Sequence, residues 1–117
     1  MKMNKLFFSV ISILAFTSCA SEYKIEGSSS VSRLDGKMLF VKVPMGESMV
    51  NIDSSEVIHG MFKMEGVADS SIFASLYMDD ESIMPFVIEK GHISISIDNA
   101  RILVSGTPLN DKLYSFI

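Results

Sequence analysis

Ile93-Ser94-Ile95-Ser96-Ile97-Asp98 alternates apolar and polar side chains with a period of two. Successive side chains of a strand point to opposite faces, so one face takes the three isoleucines and the other takes Ser94, Ser96 and Asp98. The stretch reads as a half-buried β-strand.

The same period recurs on both sides of it. Ile83 to Glu89 is an apolar run in which Pro85 favours an edge strand or a bulge. Ile72 to Met78 is mostly apolar. Gly60 to Val67 sets Phe62 and Met64 against Lys63 and Glu65. Ser48 to Val57 holds one irregular strand, with Val50 and Ile52 on one face. Lys37 to Val43 is apolar on both faces. Tyr23, Ile25 and Gly27 alternate with Lys24 and Glu26, and Arg101 to Ser105 forms the last strand. Turn residues separate these runs: Asp35-Gly36, His59-Gly60, Asp79-Asp80-Glu81, Lys90-Gly91 and Asp98-Asn99. Ser28-Ser29-Ser30 reads as a loop. About eight short strands at this spacing predict an all-β domain, an antiparallel β-sandwich or partly closed barrel. Val87, Ile88, Ile93 and Ile95 are expected to form a strand pair in its core.

The C-terminus changes period. Thr107 fits an N-cap, Pro108 the first helical position and Asp111 the first turn. Leu109, Leu113 and Phe116 then fall at i, i+4 and i+7. This short helix ends on Tyr114-Ser115-Phe116-Ile117 without a polar tail. Two readings stand: the helix packs on the sheet and stops, or it continues into a segment beyond Ile117.

The N-terminus is a targeting segment. Lys2 and Lys5 precede an apolar stretch from Leu6 to Phe16, and Thr17 and Ser18 lead into Cys19. That order is a secretory signal peptide, and the stretch is too short for a membrane-spanning helix. Phe-Thr-Ser-Cys looks like a lipobox of the loose Bacteroides type, with Phe16 where leucine is usual. Cleavage would leave Cys19 as the acylated first residue and anchor the protein to a membrane. The alternative is a plain secreted protein. The expected organisation is a signal peptide over 1–18, a lipidated tether over 19–22 and a β domain over 23–117.

Removal of residues 1–18 from the 117 leaves 99, enough for one domain with its own core. Lys2 and Lys5 leave with the signal, so 8 basic and 14 acidic side chains remain. A domain this acidic does not bind nucleic acid through a basic surface. Cys19 is the one cysteine. Once it is acylated, the domain has no disulfide, thiol nucleophile or thiolate metal site.

No other residue set rises to a catalytic or metal-binding constellation. His59 and His92 each adjoin a glycine in an expected turn, and solvated turn histidines are the expectation. Asp79-Asp80-Glu81 lacks the oxygen-ligand spacing of a calcium loop. Met38, Met45, Met49, Met61, Met64, Met78 and Met84 mostly sit in apolar runs, where filling core gaps is expected over copper ligation. There is no G-x-S-x-G, no phosphate-binding glycine loop and no H-E-x-x-H. No cofactor and no metal is expected.

One ordered set of motifs remains. It runs Tyr23-Lys24-Ile25-Glu26-Gly27, Asp35-Gly36-Lys37, Ile52-Asp53-Ser54 and Gly60-Met61-Phe62-Lys63-Met64-Glu65-Gly66. Phe86-Val87-Ile88-Glu89-Lys90-Gly91 follows, and Ser105-Gly106-Thr107-Pro108-Leu109-Asn110-Asp111 closes it. Over nearly all of residues 22–117 this set resembles the DUF4369 domain, the N-terminal β-rich domain of Bacteroidetes lipoproteins whose C-terminal part is thioredoxin-like. The resemblance implies a cell-envelope protein associated with thiol–disulfide chemistry. The thioredoxin-like part and its C-x-x-C are absent from this sequence, so none of that part's redox residues has a position here.

The leading expectation is therefore a non-catalytic, lipid-anchored, periplasm-facing module that positions or docks a thioredoxin-like domain. Leu109, Leu113, Tyr114 and Phe116 would form the contact. The alternative is a free-standing lipoprotein that binds a ligand or a protein. An enzyme in its own right is the least favoured reading, because no nucleophile–base pair or metal set exists.

Overall fold

The computed structural model describes residues 21–117. The expected signal peptide over 1–18 and the expected lipidation site, Cys19, lie outside the described residues. Eight strands form: β1 (Glu22–Ser29), β2 (Met38–Met45), β3 (Ser48–Glu56), β4 (Met61–Val67), β5 (Ile72–Met78), β6 (Glu81–Ile88), β7 (Gly91–Ile97) and β8 (Ile102–Ser105). A 3₁₀ turn, Ser32–Leu34, follows β1, and helix α1 (Pro108–Tyr114) follows β8. The strands build two four-stranded sheets, ordered β4-β1-β7-β8 and β3-β2-β5-β6. The expected sandwich forms and no barrel closes. Among the described residues no helix is long and apolar enough to cross a membrane.

The period-two alternation carries directly into burial. Ile93, Ile95 and Ile97 turn inward, as do Leu39, Val41 and Val43 on β2 and Met84, Phe86 and Ile88 on β6. Each such side chain contributes roughly 1.5–3 kcal/mol when it leaves water. Two glycines of β1 and β4 are shaped by aromatic neighbours across the ladder. Tyr23 pairs with Gly66 and Phe62 with Gly27. A Cβ on Gly66 would lie 2.6 Å from the Tyr23 ring, and one on Gly27 would lie 2.0 Å from the Phe62 ring. Each ring lies over the bare backbone of the opposite strand, as aromatic residues do when they cover cross-strand glycines.

The turns follow the residues expected to make them. His59 and Gly60 both take positive φ, 52° and 75°, and close a bridge between Ile58 and Met61. That is the backbone of a tight two-residue hairpin turn. The Gly60 N–H donates to Asp35 Oδ1 at 3.0 Å, which ties the Asp35-Gly36 turn to this one. Pro85 sits on β6, an edge strand, beside a register shift that leaves Ile83 unpaired opposite Leu76-Tyr77. Both expectations for Pro85 hold together.

Several expectations are corrected. β1 and β7 pair in parallel, Tyr23 opposite Gly91 and Ser29 opposite Ile97, whereas every other ladder is antiparallel. The connection from β6 to β7 crosses between sheets and brings β7 in alongside β1 in the same direction. Val87 and Ile88 therefore do not pair with Ile93 and Ile95, which belong to the other sheet. Ser28 and Ser29 extend β1 rather than forming a loop. β2 is not apolar on both faces to equal effect: its burial alternates, with Phe40 and Lys42 on the outer side. Val50 and Ile52 are exposed on β3, an edge strand, where a register shift leaves Ile52 without a partner on β2. Glu22 already belongs to β1, and the Ser21 carbonyl accepts the Ala68 N–H at 2.8 Å.

Candidate functional site

β6 and β8 are the edges of the two sheets on the same side of the sandwich, and α1 lies against both. An edge strand presents unpaired N–H and C=O groups that need a partner or a cover. Here the helix supplies both.

Asn110 is the centre of the contact and is fully buried. Its Oδ1 accepts the Val87 N–H at 2.8 Å, and its Nδ2 donates to the Val87 carbonyl at 2.8 Å. The side-chain amide thus pairs with β6 as a further strand's peptide would. Its second N–H goes to Thr107 Oγ1 at 2.9 Å. One turn on, the Tyr114 hydroxyl donates to the Pro85 carbonyl at 2.6 Å. Burial pushes the Tyr114 phenol above its ordinary pKa.

The helix N-terminus is capped from a distance. Thr107 has the extended backbone of an N-cap, yet its hydroxyl makes no cap to its own helix. Instead Glu89 Oε2 accepts the N–H groups of Leu109 at 2.9 Å and Asn110 at 3.3 Å. A carboxylate at a helix N-terminus satisfies orphan donors and meets the positive end of the helix dipole. Asp111 Oδ1 accepts the Gly106 N–H at 3.0 Å and fixes the turn that leads in. Gly106 has φ +105°, and a Cβ there would lie 2.4 Å from the His92 carbonyl oxygen. Only glycine fits that approach. Among the described residues, every buried side-chain nitrogen and oxygen has a hydrogen-bond partner.

The four residues expected to form a contact face are divided by this arrangement. Tyr114 packs against the core and is tied to Pro85. Leu113 is half-buried, Leu109 is exposed on the first turn, and Phe116 is 81% exposed beyond the last turn. Ile117 is 74% exposed. Next to it a groove of about 640 Å³ opens between β6 and β8, lined by Ile83, Pro85, Arg101, Ile102 and Tyr114.

The other residues singled out fall elsewhere. His59 is an exposed turn residue, as expected. His92 is not in a turn: it lies on β7, with Nε2 3.5 Å from Glu26 Oε1. Among the described residues no three or more histidine, cysteine, aspartate or glutamate side chains cluster in a way that could hold a metal ion. The methionine expectation is corrected in part. Met64 and Met84 are buried and Met78 packs against the core, but Met38, Met45, Met49 and Met61 are exposed. Asp53, noted only as part of a motif, accepts the Tyr23 hydroxyl at 2.7 Å and joins β3 to β1 across the sandwich. Burial, then the bond to Asp53 and its negative charge, push the Tyr23 phenol far above its ordinary range.

Glu89, Asn110 and Tyr114 together latch α1 to β6, and of the three only Tyr114 stands out in the sequence as a contact residue. Asn110 in a first helical turn is a local signal, since asparagine favours caps over helix interiors. Glu89 gives none, because its partners are 20 and 21 residues away.

The family described as "Domain of unknown function (DUF4369)" covers residues 23–113, which include all eight strands except the first residue of β1 and nearly all of α1. No curated protein and no solved structure matches the chain.

Proposed function

The chain belongs to the DUF4369 family, and on that premise we propose that it is a non-catalytic, lipid-anchored module of the cell envelope that holds a thioredoxin-like partner domain in place. The N-terminal order of charge, apolar stretch and Cys19 supports the anchor. The observation that carries the positioning role is the latch. Five hydrogen bonds from Glu89, Asn110 and Tyr114 fix α1 to the edge of β6, while Phe116 just beyond its end stays uncovered and Ile117 lines the groove between β6 and β8. A short helix alone is marginal in water, so its direction here is set by tertiary contacts. A rigid helix ending in exposed apolar side chains is suited to present a partner at a fixed angle. Leu113 and Phe116 are the contact residues in this reading. Tyr114 is assigned to holding the helix.

The test is a photo-crosslinking residue at Phe116 in the protein expressed in its own cells. A covalent adduct with a chain bearing Cys-x-x-Cys supports the reading, whereas a probe that stays uncoupled there argues against it. A second reading, a free-standing binding lipoprotein, draws on the same groove. It gains if the probe at Phe116 stays free while a small apolar ligand co-purifies.

A further inference from the structure

We infer that the end of the sandwich where β1 begins lies on the lipid bilayer through the exposed side chains of Met45, Val67, Ile72 and Phe73. The inference rests on the proposed acylation of Cys19 and adds to it a lipid-facing surface and an orientation.

Covalent reach sets the distance. Ser21 is already tied to the fold by the Ala68 N–H, and two peptide units separate it from Cys19. Two units span at most about 7 Å. Acyl chains on Cys19 begin in the bilayer interface. The end of the sandwich nearest Ser21 therefore has no room to stand away from the membrane.

Strand register shows what that end presents. Glu22 pairs with Val67, so β4 ends there. Tyr23 pairs with Gly91, so β7 starts there and β6 ends there. Ile72 pairs with Ile88, which places the start of β5 at the same end. Lys42 pairs with Ser75, and β2 runs antiparallel to β5. Three residues on from Lys42, Met45 reaches the level of Ile72 at the tip of the β2–β3 hairpin. These positions expose large apolar side chains: Val67 is 66% exposed, Met45 65% and Phe73 55%. The charged residues around them, Glu22, Glu47, Asp69 and Lys90, carry a net negative balance. Attraction to anionic headgroups is thus not what draws this surface down. Burial of apolar side chains in the interface is, and it strengthens an anchor made of acyl chains. The opposite end, with His59-Gly60 and Asp98-Asn99, faces away from the bilayer.

The experiment uses the full protein purified from membranes and returned to vesicles of phosphatidylethanolamine and phosphatidylglycerol. Acylation occupies Cys19, so a single introduced cysteine is the one free thiol. An environment-sensitive fluorophore is attached in turn at V67C and I72C, and at I58C and N99C as distal controls. The expected result is a blue shift at V67C and I72C, with loss of most of their emission to spin-labelled lipid and none at the controls. An acylated protein whose V67C and I72C probes stay water-exposed overturns the orientation and leaves the anchor standing. Probes shielded from aqueous iodide but untouched by spin-labelled lipid show a protein occupant, such as a second copy, and overturn it as well. A protein with no acyl chain overturns both.

Discussion

The side chain of Asn110 makes both hydrogen bonds that a neighbouring strand would make to Val87, accepting its N–H and donating to its carbonyl, each at 2.8 Å. A helix residue thereby substitutes for a missing strand at the edge of a sheet. Replacing Asn110 by alanine leaves the Val87 N–H and C=O unpaired under a helix. A buried polar group left without a partner costs about 1–3 kcal/mol. Asn110→Ala should lower stability by about 2–4 kcal/mol in urea unfolding followed by circular dichroism. Asn110→Asp keeps the acceptor, loses both donors and adds a charge beside Glu89, so it should be no milder.

Glu89 caps α1 without belonging to it. Glu89→Ala removes the acceptor of two helical N–H groups and should cost about 1–2 kcal/mol. Glu89→Gln keeps a side-chain oxygen and should recover about half of that. If the helix separates before the sheets do, the near-ultraviolet signal of Tyr114 will change at lower urea than the far-ultraviolet strand signal.

Gly106→Ala meets two obstacles at once: positive φ and a Cβ position 2.4 Å from a backbone carbonyl oxygen. Backbone yields less readily than a side chain, so the loss should exceed that of Gly36→Ala, where nothing lies within 4 Å. The expected difference is about 1–3 kcal/mol, read as melting temperatures at least about 5 °C apart. Equal melting temperatures would remove the close approach to His92 from the account.

Tyr23 and Asp53 give the pH dependence a sign. Tyr23 is held neutral in the fold, with a pKa raised above the unfolded value near 10. The stability it contributes is complete below about pH 10 and falls away as pH rises beyond it, because the unfolded chain then ionises first. Tyr23→Phe should be less stable than wild type by about 1 kcal/mol at neutral pH and should lose less on going to alkaline pH. Asp98 acts in the opposite sense. The N–H groups of Arg101 and then Ala100 lower its pKa, so its contribution is present above the ordinary carboxylate range and fades in acid. A stability profile from pH 3 to 11 would show both trends, and Asp98→Asn should flatten only the acid limb.

Much of the fold was legible in the sequence because burial follows the alternation that writes it. Ile93, Ile95 and Ile97 point inward where their period puts them, and the two-residue turns fall at Asp35-Gly36 and His59-Gly60. What failed was long-range. No local pattern says that β7 joins β1 in parallel, since pairing direction depends on where the chain crosses between sheets. Ser28 and Ser29 have loop composition, yet Ser96 and Met61 pair with Ser28 and draw it into a ladder. The exposed methionines occupy strand positions whose outward face the sequence does not mark. The latch was hidden for the same reason. Glu89 looks like the end of a strand and Asn110 like a weak helix residue, and only the fold brings them within 3.3 Å. The motifs around them were visible as a set, and their physical meaning emerged once β6 and α1 were adjacent.

The most direct test of the central claim is the mass of the N-terminal peptide of the protein extracted by detergent from the membranes of its own cells. The account predicts a peptide that begins at Cys19 and carries acyl chains, with residues 1–18 gone. A peptide that begins at Met1, or one that begins near Cys19 with a free thiol, would contradict the anchor and with it the membrane-facing orientation of the sandwich.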